Sequence, residues 1–174
     1  MNEMTRIAVD AVGGDFGAPV VLEGVEMALA EDPNLEVVIC GPADAVEPFA
    51  LSHDRCIAQP CTEEIAMDEH PAQAVRKKKD SSIVVGCRLV KEGQAQGFFS
   101  AGSTGACLTA ATLVMGRIKG VMRPAIATII PSPAKPVVMC DVGANADCKP
   151  SYLVQFGQMA AVYAEQVIGI PDPS

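Results

Sequence analysis

Arg6-Ile7-Ala8-Val9-Asp10-Ala11-Val12-Gly13-Gly14-Asp15 sets the architecture of this chain. An apolar run ends on an acid and a glycine turn, and a helical pattern follows from about Pro19 to Glu31, with Pro19 suited to a first helical turn. Buried strand, turn and helix open a βαβ unit. Leu35 to Cys40 reads as the next strand, ended by Gly41-Pro42. A short helix over Ala43 to Leu51 and a weak strand at Cys56 to Gln59 come next. Pro71 starts a short helix that carries Arg76, Lys77, Lys78 and Lys79, and a second helix with Ile83, Cys87 and Val90 on one face runs to about Glu92.

The alternation continues to the end of the chain. Gly97 to Ser100 is a strand, Ala106 to about Gly116 a helix, and Ala125 to Ile130 and Val137 to Asp141 are two further strands. A last helix, from Ser151, places Tyr152, Phe156, Met159, Tyr163 and Val167 on one stripe, the pattern of core packing. The expected fold is α/β, in three layers, with a mainly parallel sheet and helices on both faces. A helix in that last position leads into another strand in such a fold. Residues 1–174 therefore read as the N-terminal part of a single longer domain, cut before its next core strand.

Composition narrows the function. Lys and Arg number 13 against 21 Asp and Glu, a net charge of -8, which disfavours a nucleic-acid binder because neutralising phosphates needs a basic stripe. The seven cysteines contain no CxxC pair and are joined by only two histidines. Neither a metal site nor a disulfide framework follows, and reduced thiols are expected. The N-terminus lacks the basic-then-apolar pattern of a secretory signal, which places the chain in the cytoplasm. Gly97 to Gly116 is uncharged and long enough to span a membrane, but its glycines and hydroxyl residues read as a turn and a helix instead.

Three turns lie between a strand and a helix: Asp10 to Asp15, Ser100 to Gly105, and Asp141 to Lys149. In a parallel sheet such turns share the carboxyl edge, so all three are expected at one cleft. Their glycines (Gly13, Gly14, Gly102, Gly105, Gly143) let a ligand approach the backbone, and free N–H groups at a helix start suit an anion such as phosphate. Neither GxGxxG nor GxxxxGK[ST] occurs, so no cofactor is implied. The cations Lys78 and Lys79 precede Asp80-Ser81-Ser82, in which Ser81 is an N-cap candidate.

Five collinear motifs carry a resemblance. They are Ile7 to Asp15; Met67-Asp68-Glu69-His70-Pro71 through Ser82; Ser100-Ala101-Gly102-Ser103-Thr104-Gly105-Ala106; Arg123-Pro124-Ala125; and Asp141-Val142-Gly143-Ala144-Asn145-Ala146-Asp147-Cys148-Lys149-Pro150. Together they resemble the N-terminal half of the bacterial phosphate acyltransferases of phospholipid synthesis, the PlsX family. One departure is Ser103, where the family usually has Asn; another is length, since members are about twice as long.

The resemblance implies a fold similar to phosphotransacetylases and isopropylmalate dehydrogenases. It further implies transfer of a long acyl group from acyl carrier protein to inorganic phosphate, giving acyl phosphate for a membrane glycerol-phosphate acyltransferase. A homodimer in peripheral contact with the inner membrane face is implied as well. Such a reaction needs positioning and oxyanion stabilisation more than a strong base. The expected catalytic residues are Ser103, Thr104 and Asn145. Asp10, Gly13, Gly14, Asp15, Lys78, Lys79, Ser81, Ser100, Gly102, Gly105, Asp141, Gly143 and Lys149 are expected to line the substrate site, with Asp10 and Asp15 fixing their loop. Two other readings remain: a phosphotransacetylase acting on a short acyl-CoA, and an inactive module that binds phosphate or a partner.

Overall fold

In the computed structural model, which describes residues 4–133 and 135–173, four strands form one parallel sheet. They are β1 (Thr5–Asp10), β2 (Leu35–Gly41), β3 (Cys56–Pro60) and β4 (Gly97–Phe99), in the order β3-β2-β1-β4. The helices of this part are α1 (Ala18–Glu31), α2 (Ala43–Leu51), α3 (Pro71–Lys77), α4 (Ser82–Lys91) and α5 (Thr104–Ala110), the last widening into a π turn over Ala111–Met115. Together they make up one compact unit that ends at Gly116; a second unit begins at Arg117.

Both faces of this sheet are apolar, as parallel strands covered by helices require. Side chains alternate along each strand. Val9, Val37 and Ile39 pack with Val25 and Leu29 of α1 and Val46 of α2. Ala8, Val38 and Cys40 point the other way, against Val85 and Leu89 of α4. A further core joins Val75 of α3, Ile83 and Cys87 of α4, and Ala106 and Ala110 of α5; burial pushes the Cys87 thiol up to about 12.

Strand order decides where a ligand can bind. The chain runs outward from β1 to β2 and β3, then returns to the other side of β1 as β4. The loops after β1 and β4 therefore leave in opposite directions from neighbouring strands, and the crevice between them is the switch point at which α/β sheets bind ligands.

The second unit corrects one expectation. Strands β5 (Ala127–Ile130) and β6 (Val137–Cys140) pair antiparallel in a separate two-stranded sheet, from Ala127 with Cys140 to Ile130 with Val137. The Asp141 turn thus follows an antiparallel strand and not a member of the parallel sheet. Helix α6 (Pro150–Tyr163) packs on β6 and ends in a π turn over Ala164–Ile168. Its apolar stripe is core only in part: Phe156 is buried, Tyr152, Met159 and Tyr163 are half-buried, and Val167 is exposed. One helix on a two-stranded ribbon has too few apolar neighbours to bury a five-residue stripe.

Candidate functional site

Asp10 is the centre of the first unit's loop cluster. It is the last residue of β1 and only 1% exposed. Its Oδ2 accepts a hydrogen bond from Ser100 Oγ at 2.7 Å, and its Oδ1 accepts from Val12 N at 3.2 Å. Ser100 Oγ in turn accepts from Gly102 N at 3.0 Å. One carboxylate and one hydroxyl thus tie together the two loops that flank the switch point. The loops touch so closely that a Cβ on Gly13 would lie 2.6 Å from Gly102 N and 2.8 Å from Asp10 Oδ2. Gly14 follows at φ +93°, a conformation that only glycine adopts without strain. Asp15 is exposed, and among the described residues its carboxylate makes no hydrogen bond, so Asp10 alone fixes this loop.

The second loop continues into α5. Ser103 is its N-cap: Oγ accepts from Ala106 N at 3.4 Å, and the residue is 7% exposed. The Thr104 side chain beside it is exposed. Gly105 lies against α3, since a Cβ there would come within 2.8 Å of Pro71 Cγ. That contact joins the basic helix to the loop cluster.

Lys78 and Lys79 of the basic segment are already engaged. Lys78 Nζ donates to Glu69 Oε1 at 2.5 Å and to the Glu64 carbonyl at 2.6 Å. Lys79 Nζ turns back to the Val75 carbonyl at 3.1 Å. Ser81 precedes α4 as expected, but its hydroxyl makes no cap and donates to the Lys78 carbonyl at 2.9 Å. Asp80 accepts from Thr62 Oγ1 at 2.5 Å and Thr62 N at 2.9 Å.

These contacts predict acid sensitivity. The hydrogen bond from Lys78 holds the Glu69 carboxyl below its usual range, and those from Thr62 do the same for Asp80. A depressed folded-state pKa contributes stability above the unfolded value, roughly pH 4, and that stability is lost as pH falls through the folded value. Amide protection over residues 62–80, taken relative to the intrinsic exchange rate at each pH, is therefore expected to fall below about pH 4 before the strands open. Glu69→Gln should flatten that dependence, and an unchanged profile would remove the pair from the account.

In the second unit, Asp141 organises its own loop. Oδ1 accepts from Ile126 N at 2.8 Å; Oδ2 accepts from Asn145 N at 2.8 Å and from Asn145 Nδ2 at 3.2 Å. Partial burial pushes the Asp141 carboxyl up, but these hydrogen bonds together bring it below the ordinary value. Asn145 Nδ2 also donates to the Pro124 carbonyl at 3.0 Å, so the Arg123-Pro124-Ala125 motif and the Asp141 motif are one structure. Gly143 has φ +91°, Lys149 is exposed just before α6, and Cys148 Sγ donates to the Asn145 carbonyl at 3.7 Å.

Two contacts lie outside what the residue pattern indicated, and beside the loops burial pushes the Cys107 thiol up. Glu69 pairs with Lys78, and its place in the Met67 to Ser82 motif was the available signal. Thr62 as the partner of Asp80 had none, because the pairing spans 18 residues through a fold-dependent approach. Among the described residues, no group of His, Cys, Asp and Glu side chains is arranged to hold a metal ion, and no helix is long and apolar enough to cross a membrane.

Known proteins resemble this chain over nearly its whole length. The family described as fatty acid synthesis protein matches residues 5–174. A phosphate acyltransferase from Clostridium perfringens is 49% identical over 172 residues, which are 97% of this chain and 51% of that protein. One from Heliobacterium modesticaldum is 49% identical with the same coverage, and one from Staphylococcus saprophyticus is 42% identical over 98% of this chain and 52% of its own. The chain thus spans about half the length of these relatives. Among solved structures, a branched-chain phosphotransacylase from Enterococcus faecalis shares the fold, with a TM-score of 0.57 at 17% identity over 93% of this chain and 51% of that one. A match running from the first residue of β1 to the end of the chain, through every loop described above, shows that this chain belongs to the fatty acid synthesis protein family, also called the PlsX family.

Proposed function

We propose that the chain is the N-terminal half of an enzyme that transfers a long-chain fatty acyl group from acyl carrier protein to inorganic phosphate, for phospholipid synthesis. The observation that carries this reading is the Asp10–Ser100 contact. It holds the Gly13-Gly14 and Gly102 to Gly105 backbones side by side at the switch point of a family whose relatives are named phosphate acyltransferases. Phosphate near neutral pH is already an anionic nucleophile, and a thiol with a pKa near 8.5 leaves with little help. A phosphate oxygen attacks the thioester carbonyl carbon, the new C–O bond replaces the C–S bond, and the thiolate departs and takes a proton from water.

The loops' part is to hold phosphate and to meet the negative charge that develops on the carbonyl oxygen. In this reading the Gly102 to Gly105 backbone and the Ser103 and Thr104 hydroxyls supply donors. Gly13 and Gly14 give the substrate room, and Gly143, Asn145 and Lys149 of the Asp141 loop supply further substrate-binding groups. Lys78 and Lys79 serve phosphate or the acidic carrier protein only after leaving their present partners. The product feeds a membrane glycerol-phosphate acyltransferase, which fits a cytoplasmic homodimer in peripheral contact with the inner membrane face.

The test is to incubate the chain, beside a full-length relative, with palmitoyl-acyl carrier protein and phosphate, trapping acyl phosphate with hydroxylamine. Hydroxamate from the carrier-protein thioester supports the reading, whereas product only from acetyl-CoA favours a phosphotransacetylase. Phosphate binding without turnover by either the chain or the full-length protein would favour a binding module. In the same assay Cys148→Ser should retain most of the activity, because phosphate attacks directly. A burst of acylated protein that this substitution abolishes would assign Cys148 a covalent role.

A further inference from the structure

Asn145 spends its hydrogen-bonding groups on its own loop, with one exception. Its backbone N–H donates to Asp141 Oδ2 at 2.8 Å, and its carbonyl accepts from Cys148 Sγ at 3.7 Å. A side-chain carboxamide has two N–H donors and no more. Nδ2 directs one at the Pro124 carbonyl, 3.0 Å away, and the other at Asp141 Oδ2, 3.2 Å away. A carbonyl and a carboxylate only accept, so the amide cannot be turned round, and Oδ1 is fixed on the side away from them. Among the described residues no donor reaches Oδ1. Every buried side-chain oxygen and nitrogen among them has a partner, so Oδ1, which has none, is open to solvent. A residue expected to donate to an oxyanion thus presents only an acceptor.

We propose that Asn145 Oδ1 accepts a hydrogen bond from an amide N–H of the pantetheine arm of the thioester substrate, and that Asp141 and Pro124 position it to do so. The thioester identity of the ligand rests on the acyl-transfer reading above, and the acceptor role on the geometry alone. Hydrogen bonds hold the Asp141 carboxyl below its ordinary range, so its negative charge lies directly behind the Asn145 amide at neutral pH. By accepting from Nδ2 the carboxylate polarises the carboxamide and adds negative charge to Oδ1. The exposed Asp147 and Lys149 balance each other, so the loop around Oδ1 is negative. Phosphate is repelled from such a group, as is a carbonyl oxygen that gains charge during reaction. A neutral N–H is attracted. Acyl carrier protein and coenzyme A both carry their acyl group on pantetheine, whose two amides supply neutral donors close to the thioester.

Substrates with a single N–H exchanged for oxygen test this, in a polypeptide with the full length of the relatives. Octanoyl-pantetheine is compared with its two depsi analogues, in each of which one amide N–H is replaced by oxygen. One analogue should lose about tenfold in kcat/KM with phosphate, the usual cost of leaving an acceptor unpaired, and Asn145→Ala should bring that ratio close to one. Palmitoyl-acyl carrier protein and palmitoyl-CoA share the arm, so Asn145→Ala should slow both by the same factor. Octyl-pantetheine thioether, which cannot react, should show the same ratio in binding, so the contact is read even where acyl transfer to phosphate fails. If Asn145→Ala does not fold, the NMR resonance of the Asn145 carboxamide carbon decides: it should move with the thioether and stay in place with the matching depsi analogue. Equal reaction and binding of parent and analogues would overturn the proposal, as would a ratio that survives Asn145→Ala. So would a phosphate KM raised by Asn145→Ala with the ratio unchanged, which assigns Oδ1 to a phosphate hydroxyl. A loss confined to the carrier-protein thioester would also overturn it, by assigning Oδ1 to the carrier protein's own surface.

Discussion

Asp10→Ala is expected to destabilise the first unit by about 3 kcal/mol, the loss of two hydrogen bonds to the carboxylate partly offset by removing its desolvation cost. The carboxylate is almost fully buried, and its two oxygens hold Ser100 Oγ and Val12 N. Without it a half-buried hydroxyl and a backbone N–H lose their acceptor, and the Gly13 and Gly102 backbones lose the group that keeps them in contact. Asp10→Asn separates charge from shape. Its amide oxygen can still accept from Val12, but its NH2 group faces a Ser100 oxygen that already accepts from Gly102 N. The Asn variant should therefore fall between wild type and Ala. Urea unfolding followed by amide exchange at residues 12–14 and 100–103 checks both, and a loss under 1 kcal/mol for Ala would mean that the loops hold each other through packing alone.

The second large effect concerns rate. Ser103→Ala with Thr104→Ala, made in a polypeptide with the full length of the relatives, should lower acyl phosphate formation by about 10² to 10³-fold, the usual cost of removing donors from the site of charge development. The single variants should differ. Ser103 caps α5 through Ala106 N, so its loss alone costs about 1 kcal/mol of stability. The exposed Thr104 hydroxyl has no such duty, so its loss should appear in turnover with an unchanged melting point. An unaltered rate in the double variant moves oxyanion stabilisation to the glycine backbone or to another loop.

The parallel sheet was legible because Ile7 to Asp10, Leu35 to Cys40 and Gly97 to Ser100 are apolar runs of strand length with helical periodicity between them. Proline marked the helix starts at Pro19 and Pro71. Val137 to Cys140 shows the limit of such reading. Its composition suits either strand direction, and its antiparallel pairing with Ala127–Ile130 depends on a partner ten residues back. The core reading of the α6 stripe failed at Val167 for a related reason: periodicity tells which residues share a face, not whether anything covers it.

Chemistry along the chain was therefore settled by sequence alone: which loops hold glycines and hydroxyls, where helices start, and which family the motifs resemble. Each of these depends on residues within a few positions of one another. Only the tertiary structure decided which polar groups meet. Asp10 and Ser100 are 90 residues apart and share a hydrogen bond because β4 returns to the free side of β1. Lys78 and Lys79, free cations in the sequence, are held by Glu69 and the Val75 carbonyl once the segment folds back on itself. Hydrogen bonds and ion pairs act over about 3 Å, a distance that strand order and helix packing determine and that spacing along the chain does not.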